Sequence, residues 1–371
     1  MTKRLLCALL SAMMLFGLCA CSLFDPPKQP EPIVPVSTEP VETEEQTEEQ
    51  TTAEAQTTEP EEETTAVPEP PAPIYNKDDT FAPGVLTVCN SDYEVPEELQ
   101  SRLFGVMNEP GYASFTTAFY VLDLDSQMSI GYNADEYYQT ACTIKAGYAL
   151  SWFETLEQNR IANEEGKPLA EGETRVLLDD TYVYTGADYL PGAGRIQYSG
   201  TGVTYTISDI LYHLINESDN TAYNILYNRI FGNEAYKALT ERLGIVPYAG
   251  QYGMWTRMRP KDLGLVWQEI WNYHHTGSPE ADLYWKYLTH NEFCEIGKVV
   301  KDADEIAHKS GSDDYGFHEA GLVVRDGHQY VVAVITTRPL SICNDDYDCC
   351  HKVIEVLDAV MKDYYAQSEE N

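Results

Sequence analysis

A long run near the N-terminus cannot form a hydrophobic core, and this run decides where a folded domain can begin. From Ser22 to about Pro73 the residues are almost all Glu, Thr, Pro, Gln and Ala. Such a composition buries too little apolar surface to offset the conformational entropy that is lost on folding. We therefore predict a disordered acidic tether over 22–77. The remainder, 78–371, is long enough and apolar enough for one large domain.

The residues before the tether have the pattern of a secretory signal. Two basic residues, Lys3 and Arg4, precede an apolar stretch from Leu5 to Leu18, which is shorter than the roughly 20 apolar residues of a membrane-spanning helix. The stretch ends at Leu18-Cys19-Ala20-Cys21, which resembles a bacterial lipobox. The resemblance implies a signal peptide over 1–21, lipidation of Cys21 and a protein anchored at the extracytoplasmic face of the cell membrane. A plain secretory signal without lipidation is the alternative.

Charge and composition narrow the partners of the domain. The formal net charge of −36 argues against nucleic acid, because phosphate binding requires a basic patch. His274 and His275 are adjacent, so they do not share one helical face as two metal ligands would, and we expect no metal and no cofactor. We also expect a monomer. Outside the cell, five cysteines are able to form disulfides, although the sequence does not give their pairing: Cys89, Cys294, Cys343, Cys349 and Cys350.

The order of the predicted elements favours a mixed α/β fold of the α+β type. A helix over 97–107 precedes two strands, 115–125 and 128–132, and a helix runs from Cys142 to about Leu156. Thr206 and Asp209 form a predicted capping box for a helix that ends at Ile215, and the next helices cover 222–231, 234–243 and 261–273. Strands 319–325 and 329–337 flank an Asp-Gly turn, and a helix over 348–365 ends the domain. We expect an antiparallel sheet covered by the terminal helices, with a separate helical lobe.

Three short motifs occur in a fixed order along this domain. They are Cys142-Thr143-Ile144-Lys145 at the start of a helix, Ser218-Asp219-Asn220 at the end of another, and Lys309-Ser310-Gly311 before the last hairpin. Together they resemble the Ser-x-x-Lys, Ser-Asp-Asn and Lys-Thr/Ser-Gly set of class A β-lactamases and penicillin-binding proteins. The glycine-containing segment before the capped helix matches as well. The chain is thereby identified as a member of this penicillin-recognising group, with a five-stranded sheet implied.

The residue types suit acyl transfer, which needs a nucleophile, a base and donors that stabilise an oxyanion. Cys142 and Lys145 are at i and i+3 of a helix, so they share a face and the lysine can activate the thiol. The resemblance implies further roles. Ser218 relays protons to the leaving group, Asn220 holds the substrate amide, Lys309 and Ser310 attract the substrate carboxylate, and the N–H groups of Cys142 and Ser312, next to Gly311, form the oxyanion hole.

The sequence departs from the family at three places. Cys142 replaces the nucleophilic serine, and one interpretation is a decayed site with a small buried cysteine. The span from Leu243 to Lys261 lacks the carboxylate that class A enzymes use to activate water, since Glu241 and Asp262 only flank it. The arginine expected near Lys309 is also missing, and His318 or Arg325 are candidate replacements.

These features predict a hydrolase that forms a covalent acyl-enzyme with β-lactams or peptidoglycan stem peptides and releases it slowly. Two alternatives stay open. The first alternative is a peptidoglycan transpeptidase or carboxypeptidase, because a thioester reacts readily with amines. A non-catalytic wall-binding or sensor module, with tyrosines lining a groove, is the other.

Overall fold

The structure of the protein is a computed structural model that describes residues 75–369 apart from 77, 170–173, 292 and 340–346. The predicted signal peptide with Cys21, almost all of the predicted tether, and Cys343 lie outside the described residues. In the described part, no helix combines the length and the apolar character that crossing a bilayer requires.

The described chain contains both strands and helices in a mixed order. The strands are β1 (Thr87–Cys89), β2 (Thr117–Asp123), β3 (Ser129–Tyr132), β4 (Tyr138–Gln139), β5 (Thr181–Val183), β6 (Thr204–Thr206), β7 (Arg257–Met258), β8 (Glu305–Asp313), β9 (Gly316–Arg325) and β10 (His328–Thr336). The helices are α1 (Glu97–Met107), α2 (Ile144–Glu164), α3 (Ile207–Asn216), α4 (Asn220–Ile225), α5 (Glu234–Arg242), α6 (Pro260–His274), α7 (Pro279–Thr289), α8 (Ile296–Val299) and α9 (Asp348–Glu369).

The main sheet is antiparallel, as predicted, and its strand order is β1-β3-β2-β10-β9-β8. It has six strands where five were expected. The difference arises at one edge, where β1 adds three residues that pair with β3. At the other edge lies β8, which carries Lys309. This strand was not predicted, because the polar motif at its centre interrupts the alternating pattern of apolar and polar residues.

The predicted hairpin between β9 and β10 is confirmed. Asp326 and Gly327 form its two-residue turn with φ angles of 51° and 83°. Two successive positive φ values suit the twist of antiparallel strands, and Asp-Gly tolerates them better than most pairs. The register that follows sets His318 opposite Ile335 and Glu319 opposite Val334.

The sheet separates two hydrophobic cores. Side chains alternate between the faces along each strand, so Phe119 and Val121 face one way and Tyr120 and Leu122 the other. The first face is covered by the terminal helices α1 and α9, as predicted. The second face packs against the helical lobe, whose central helix α2 buries most of its first three turns. The lobe therefore holds one side of the sheet rigidly against the start of α2.

Helix boundaries in the lobe follow local signals only in part. The Thr206–Asp209 capping box at the start of α3 is confirmed, with the Asp209 N–H donating to Thr206 Oγ1 at 3.0 Å. The predicted end of α2 near Leu156 is wrong, since the helix continues to Glu164. The predicted helix over 222–231 starts earlier, at Asn220, and its second half is a π-turn over Leu226–Ile230.

The described cysteines form no disulfide with one another. Cys89, Cys142, Cys294, Cys349 and Cys350 are all free thiols. Cys349 and Cys350 are buried in the packing of α9, where burial raises the pKa of both thiols. In this part of the chain the cysteines are thus packed as thiols.

Candidate active site

Cys142 lies in a short 3-10 turn, Ala141–Thr143, that leads directly into α2. Ala141 has a φ of 45°, a left-handed conformation that is costly for a residue with a Cβ. Hydrogen bonds hold the turn: Thr140 Oγ1 donates to the Thr256 carbonyl at 2.8 Å, and Thr143 Oγ1 donates to the Thr140 carbonyl at 2.6 Å. The strain at Ala141 is therefore offset by a fixed frame around the thiol.

Lys145 follows in the first turn of α2 and its side chain is fully buried. Its ammonium donates to the Ser218 carbonyl at 2.5 Å and to Asn220 Oδ1 at 2.8 Å. The rings of Tyr223 and Trp255 each lie 5.5 Å from Nζ, within cation–π range. A buried ammonium requires such partners, because desolvation of an unpaired charge is expensive.

Ser218 and Asn220 come from the connection between α3 and α4. Ser218 has a φ of 54°, and Asp219 caps α4 by accepting the Ala222 N–H. A glycine loop packs against this connection: a Cβ on Gly194 would lie 2.3 Å from the Asp219 Cα, and one on Gly192 would lie 2.3 Å from Asn220 Nδ2. Only glycine fits there, which explains the glycine segment that the sequence placed before the capped helix.

Lys309 reaches the same point from the sheet. It is buried on β8, and its Nζ donates to Ser218 Oγ at 3.0 Å and to the Ser310 carbonyl at 2.7 Å. Lys145 Nζ lies 3.4 Å from the same hydroxyl. Ser218 Oγ thus has two lysine ammonium groups within hydrogen-bonding distance, so its own proton is free to point elsewhere.

Gly311 brings β8 against the start of α2. A Cβ at this position would lie 2.6 Å from the backbone N of Cys142 and 2.8 Å from that of Thr143. The strand can pass this close only because residue 311 is glycine. Ser312, one residue further along β8, lines the same cleft as Cys142.

The electrostatics of the site favour an ionised thiol. Burial raises the pKa of Cys142, but the charges of Lys145 and Lys309 and hydrogen bonds from Ser218 and Lys145 outweigh it, so the pKa lies below its ordinary value. Burial lowers the pKa of Lys145 and lowers that of Lys309 to about 8. A thiolate beside two cations is a competent nucleophile.

The cleft in front of Cys142 is an open cavity of about 520 Å³. Five of the lining residues were not predicted from the sequence, because they belong to none of the recognised motifs: Glu217, Phe293, Glu295, Lys298 and Tyr347. Lys298 Nζ donates to both oxygens of Glu295, at 2.7 and 2.9 Å, and His351 lies 2.6 Å from one of them. This wall is polar and hydrogen-bonded.

Neither proposed replacement for the family's arginine lines the cleft. His318 is buried, and desolvation lowers the pKa of its imidazole to about 4. Arg325 lies at the far end of β9, where it pairs with Asp302 at 2.8 Å and Asp358 at 2.7 Å. Among the described residues that line the cleft, the one cationic side chain is that of Lys298, and the two buried motif lysines are not part of the lining.

The span expected to supply a water-activating carboxylate brings aromatic rings instead. Trp255 of this span and Tyr223 of α4 lie edge to face, 5.2 Å apart, beside Lys145. Asp262 is buried and paired with Arg259, whose Nη2 lies 2.6 Å from Asp262 Oδ1. Glu241 is on the exposed side of α5. Neither flanking carboxylate therefore takes the missing role.

Three side chains near the motif serine have ligand atoms within 4.8 Å of one another: His213, Glu217 and Asp219. Each carboxylate is already engaged. Glu217 pairs with His213 at 2.9 Å and with Arg195 at 3.3 Å, and Asp219 accepts the N–H groups of Ile196 and Ala222. Hydrogen bonding within the protein accounts for the cluster.

Comparison with known proteins agrees with this geometry. The model of the beta-lactamase enzyme family matches residues 99–353. A mutant of PBP-A in an acyl-enzyme complex with penicillin G is 22% identical, with a TM-score of 0.57 over 71% of this chain and 96% of that chain. A beta-lactamase from Sphaerobacter thermophilus is 19% identical, with a TM-score of 0.57 over 70% and 95%. One from Chitinophaga pinensis is 17% identical, with a TM-score of 0.57 over 72% and 100%. No curated protein matches. At these identities, the solved structures establish the fold.

Proposed function

The chain belongs to the beta-lactamase enzyme family, and from this premise we propose that its domain is an acyl-transfer hydrolase with Cys142 as the nucleophile. The substrate is a β-lactam or a related peptidoglycan-type amide. The thiolate attacks the carbonyl carbon, the C–N bond breaks, and the acyl group remains on Cys142 as a thioester. The observation that carries this proposal is the pair of buried lysines that meet at Ser218 beside the thiol.

The proton transfers follow from the same contacts. Lys145, which lies within hydrogen-bonding reach of Cys142, takes up the thiol proton in its neutral form. Ser218 Oγ accepts from Lys309 and passes its own proton to the leaving nitrogen. Burial lowers the pKa of Lys145 and that of Lys309, the latter to about 8, so each amine loses its proton more readily than an exposed lysine does, which suits general acid–base catalysis.

Substrate binding uses the two edges of the cleft. Asn220 already accepts from Lys145 and donates from Nδ2 to the Pro191 carbonyl at 3.0 Å, so its amide is held in one orientation beside the substrate amide. Ser310 and Lys309 face a substrate carboxylate from β8. The N–H groups of Cys142 and Ser312, on either side of Gly311, stabilise the oxyanion.

Hydrolysis of the thioester is slow in this proposal. General base catalysis of water attack contributes about 10²–10⁴-fold to such a step, and Leu243–Lys261 supplies no carboxylate for it. The rings of Trp255 and Tyr223 instead lie beside Lys145, each 5.5 Å from its Nζ. The acyl-enzyme should therefore accumulate.

Intact-mass spectrometry of the full chain with penicillin G tests the proposal. We expect a stable adduct of one penicillin per chain in the wild type and none in the Cys142→Ala variant. A Cys89→Ala variant is the matched control, because Cys89 is a half-buried thiol far from the motifs, and it should keep the adduct. An adduct that survives in Cys142→Ala, or its absence from the wild type, rejects Cys142 as the nucleophile toward penicillin.

Transfer to an amine is a second candidate function, and the aromatic cover over Lys145 favours it. A thioester shielded from activated water still reacts with an amine that binds in the cleft. Adding a D-amino acid to the preformed acyl-enzyme distinguishes the two. Faster loss of the adduct with formation of the amide indicates a transpeptidase activity, whereas unchanged loss indicates a slow hydrolase. A non-catalytic wall-binding module would form no adduct with either β-lactams or stem peptides.

The anchoring of this domain is part of the proposal. Cleavage before Cys21 and lipidation of its thiol would hold the domain at the extracytoplasmic face of the membrane. Detergent partitioning of the protein from producing cells tests it, with Cys19→Ala as the matched control for Cys21→Ala. The lipobox requires that only Cys21→Ala moves the protein to the aqueous phase.

A further inference from the structure

A second pocket lies next to the active site, on the span that departs from the family pattern. It is a cavity of about 380 Å³ lined by Gln139, Tyr248, Gln251, Gly253, Trp255, Thr256 and Arg257. Gln139 and Arg257 are directly opposite each other on the two-stranded sheet of β4 and β7, so their side chains share one face. We call it the aromatic pocket.

Two aromatic rings of this pocket are exposed to solvent. Trp255 is 37% exposed and Tyr248 is 46% exposed. The other tryptophans of the chain are buried or half-buried. Each exposed ring also contacts a neighbouring side chain. The Trp255 ring packs edge to face against Tyr223 at 5.2 Å, and the guanidinium of Arg257 lies 5.2 Å from the Tyr248 ring. Rigid exposed rings of this kind lose little entropy when a ligand covers them.

The polar groups of the pocket are available for a ligand. Neither the Gln139 nor the Gln251 side-chain amide bonds to another described residue, and each offers one acceptor oxygen and two N–H donors. Arg257 adds a planar set of donors. A ligand that fits must therefore present an apolar face to the rings and hydroxyl or amide groups to the edges.

Sugar rings have this combination, because one face carries C–H groups and the rim carries hydroxyls. Stacking of the C–H face on an aromatic ring gains dispersion and hydrophobic energy, while the amides bind the rim. A nucleic acid or another polyanion is disfavoured by the net charge of −36. An extended peptide is disfavoured because β4 and β7 are two residues long, too short for strand addition.

We propose that the aromatic pocket binds sugar rings of an uncharged oligosaccharide. The proposal does not depend on the chemistry of Cys142. The pocket nevertheless adjoins it, because Gln139 is three residues before Cys142 and Thr140 Oγ1 donates to the Thr256 carbonyl at 2.8 Å. A glycan bound there would lie beside the acyl-transfer cleft, with its attached groups able to enter it.

Tryptophan fluorescence of the full chain tests the proposal, since Trp255 is the exposed tryptophan. Chitotetraose and cellotetraose are titrated in turn while acrylamide quenching is measured. We expect a saturable change and lower quenching with at least one of the two sugars. Tyr248→Ala and Gln251→Ala should each weaken binding about tenfold, as loss of a stacking ring or a hydrogen-bonding pair does.

Tyr198→Ala is the matched control, because Tyr198 is 82% exposed and lies outside the pocket, and it should bind like the wild type. No saturable change with either sugar up to roughly 10 mM, the weak end of specific affinities, overturns the proposal. So does equal binding by wild type and both pocket variants. If a sugar-free stem peptide protects Trp255 from acrylamide quenching while neither sugar does, the pocket binds peptides, and the proposal is overturned as well.

Discussion

The two sides of Lys145 differ sharply in chemistry. On one side, beside Cys142, hydrogen bonds of 2.5 to 3.4 Å join Lys145 to Ser218 and Asn220, and Lys309 donates to the same Ser218 hydroxyl at 3.0 Å. On the other side, Trp255 and Tyr223 present rings, and the span from Leu243 to Lys261 has no carboxylate. In the proposed mechanism, acylation depends on the first side and hydrolysis of the thioester on the second, so acylation can persist without hydrolysis.

The largest effect should come from a substitution that impairs acylation of Cys142. Replacing Lys145 with methionine keeps the volume but removes the amine that takes the thiol proton. The rate of adduct formation with penicillin G, followed by intact mass, should fall by about 10²–10⁴-fold. Lys261→Met is the matched control, because Lys261 is also buried but bonds to the Asp79 carbonyl at 2.8 Å, outside the cleft. Equal rates in the two variants would contradict the role of Lys145.

A carboxylate placed beside Lys145, on the side of the aromatic rings, should increase the rate of thioester hydrolysis. In a Trp255→Glu variant, the new side chain can act as a base toward water, and the adduct should disappear about 10–100-fold faster than in the wild type. Trp255→Gln is the control for the loss of the ring alone. If Trp255→Gln accelerates the loss as much, water exclusion rather than a missing base is the cause, and the comparison must be revised.

The pH dependence of the acylation rate should reflect the ionisation of both the Cys142 thiol and the Lys309 ammonium group. Because the pKa of Cys142 is lowered, its thiolate persists below the ordinary thiol range. Because the pKa of Lys309 is about 8, its positive charge is present below that pH and lost above it. The acylation rate with penicillin G should therefore fall above about pH 8, by up to roughly tenfold per pH unit. The penicillin methyl ester lacks the carboxylate, so its rate should fall far less; identical profiles would contradict carboxylate binding by Lys309.

The smallest effect should concern stability alone. Thr206→Ala removes the cap of α3 and should lower the free energy of unfolding by about 1 kcal/mol, with a melting temperature lower by roughly 2 °C. Thr204→Ala, an exposed β6 position, should change the free energy of unfolding by less than about 0.5 kcal/mol. The acylation rate should not change in either variant, since neither residue lines the cleft. A lower acylation rate in Thr206→Ala would instead show that the cap of α3 also affects the active site.

Local patterns predicted the elements whose signals are local. The Asp326-Gly327 turn and the Thr206 cap depend on a few adjacent residues, and both are confirmed. Strand β8 was missed because its polar motif serves the cleft and breaks the alternation of a strand. The edge strand β1 is only three residues long, too short for a pattern.

The residues of the candidate site were likewise predicted only in part. Motif residues such as Ser218 and Lys309 were singled out from the sequence, because their motifs resemble the family set. Lys298 and Glu295, which line the cleft, and Trp255, which lies beside Lys145, were not predicted, since tertiary packing alone brings them to the site. The predicted substitutes His318 and Arg325 failed for a physical reason: both lie on β9, but His318 is buried outside the cleft lining and Arg325 pairs with Asp302 and Asp358.

The most direct test of the central claim measures formation and loss of the acyl-enzyme in one single-turnover experiment on the wild-type chain. Penicillin G is mixed with excess protein, and adduct mass is followed over time at pH 7. The account predicts that the adduct on Cys142 forms faster than it disappears, so that nearly all of the penicillin is held as the thioester before any hydrolysed product appears. Hydrolysed product that appears as fast as penicillin is consumed, with no accumulated adduct, would contradict it.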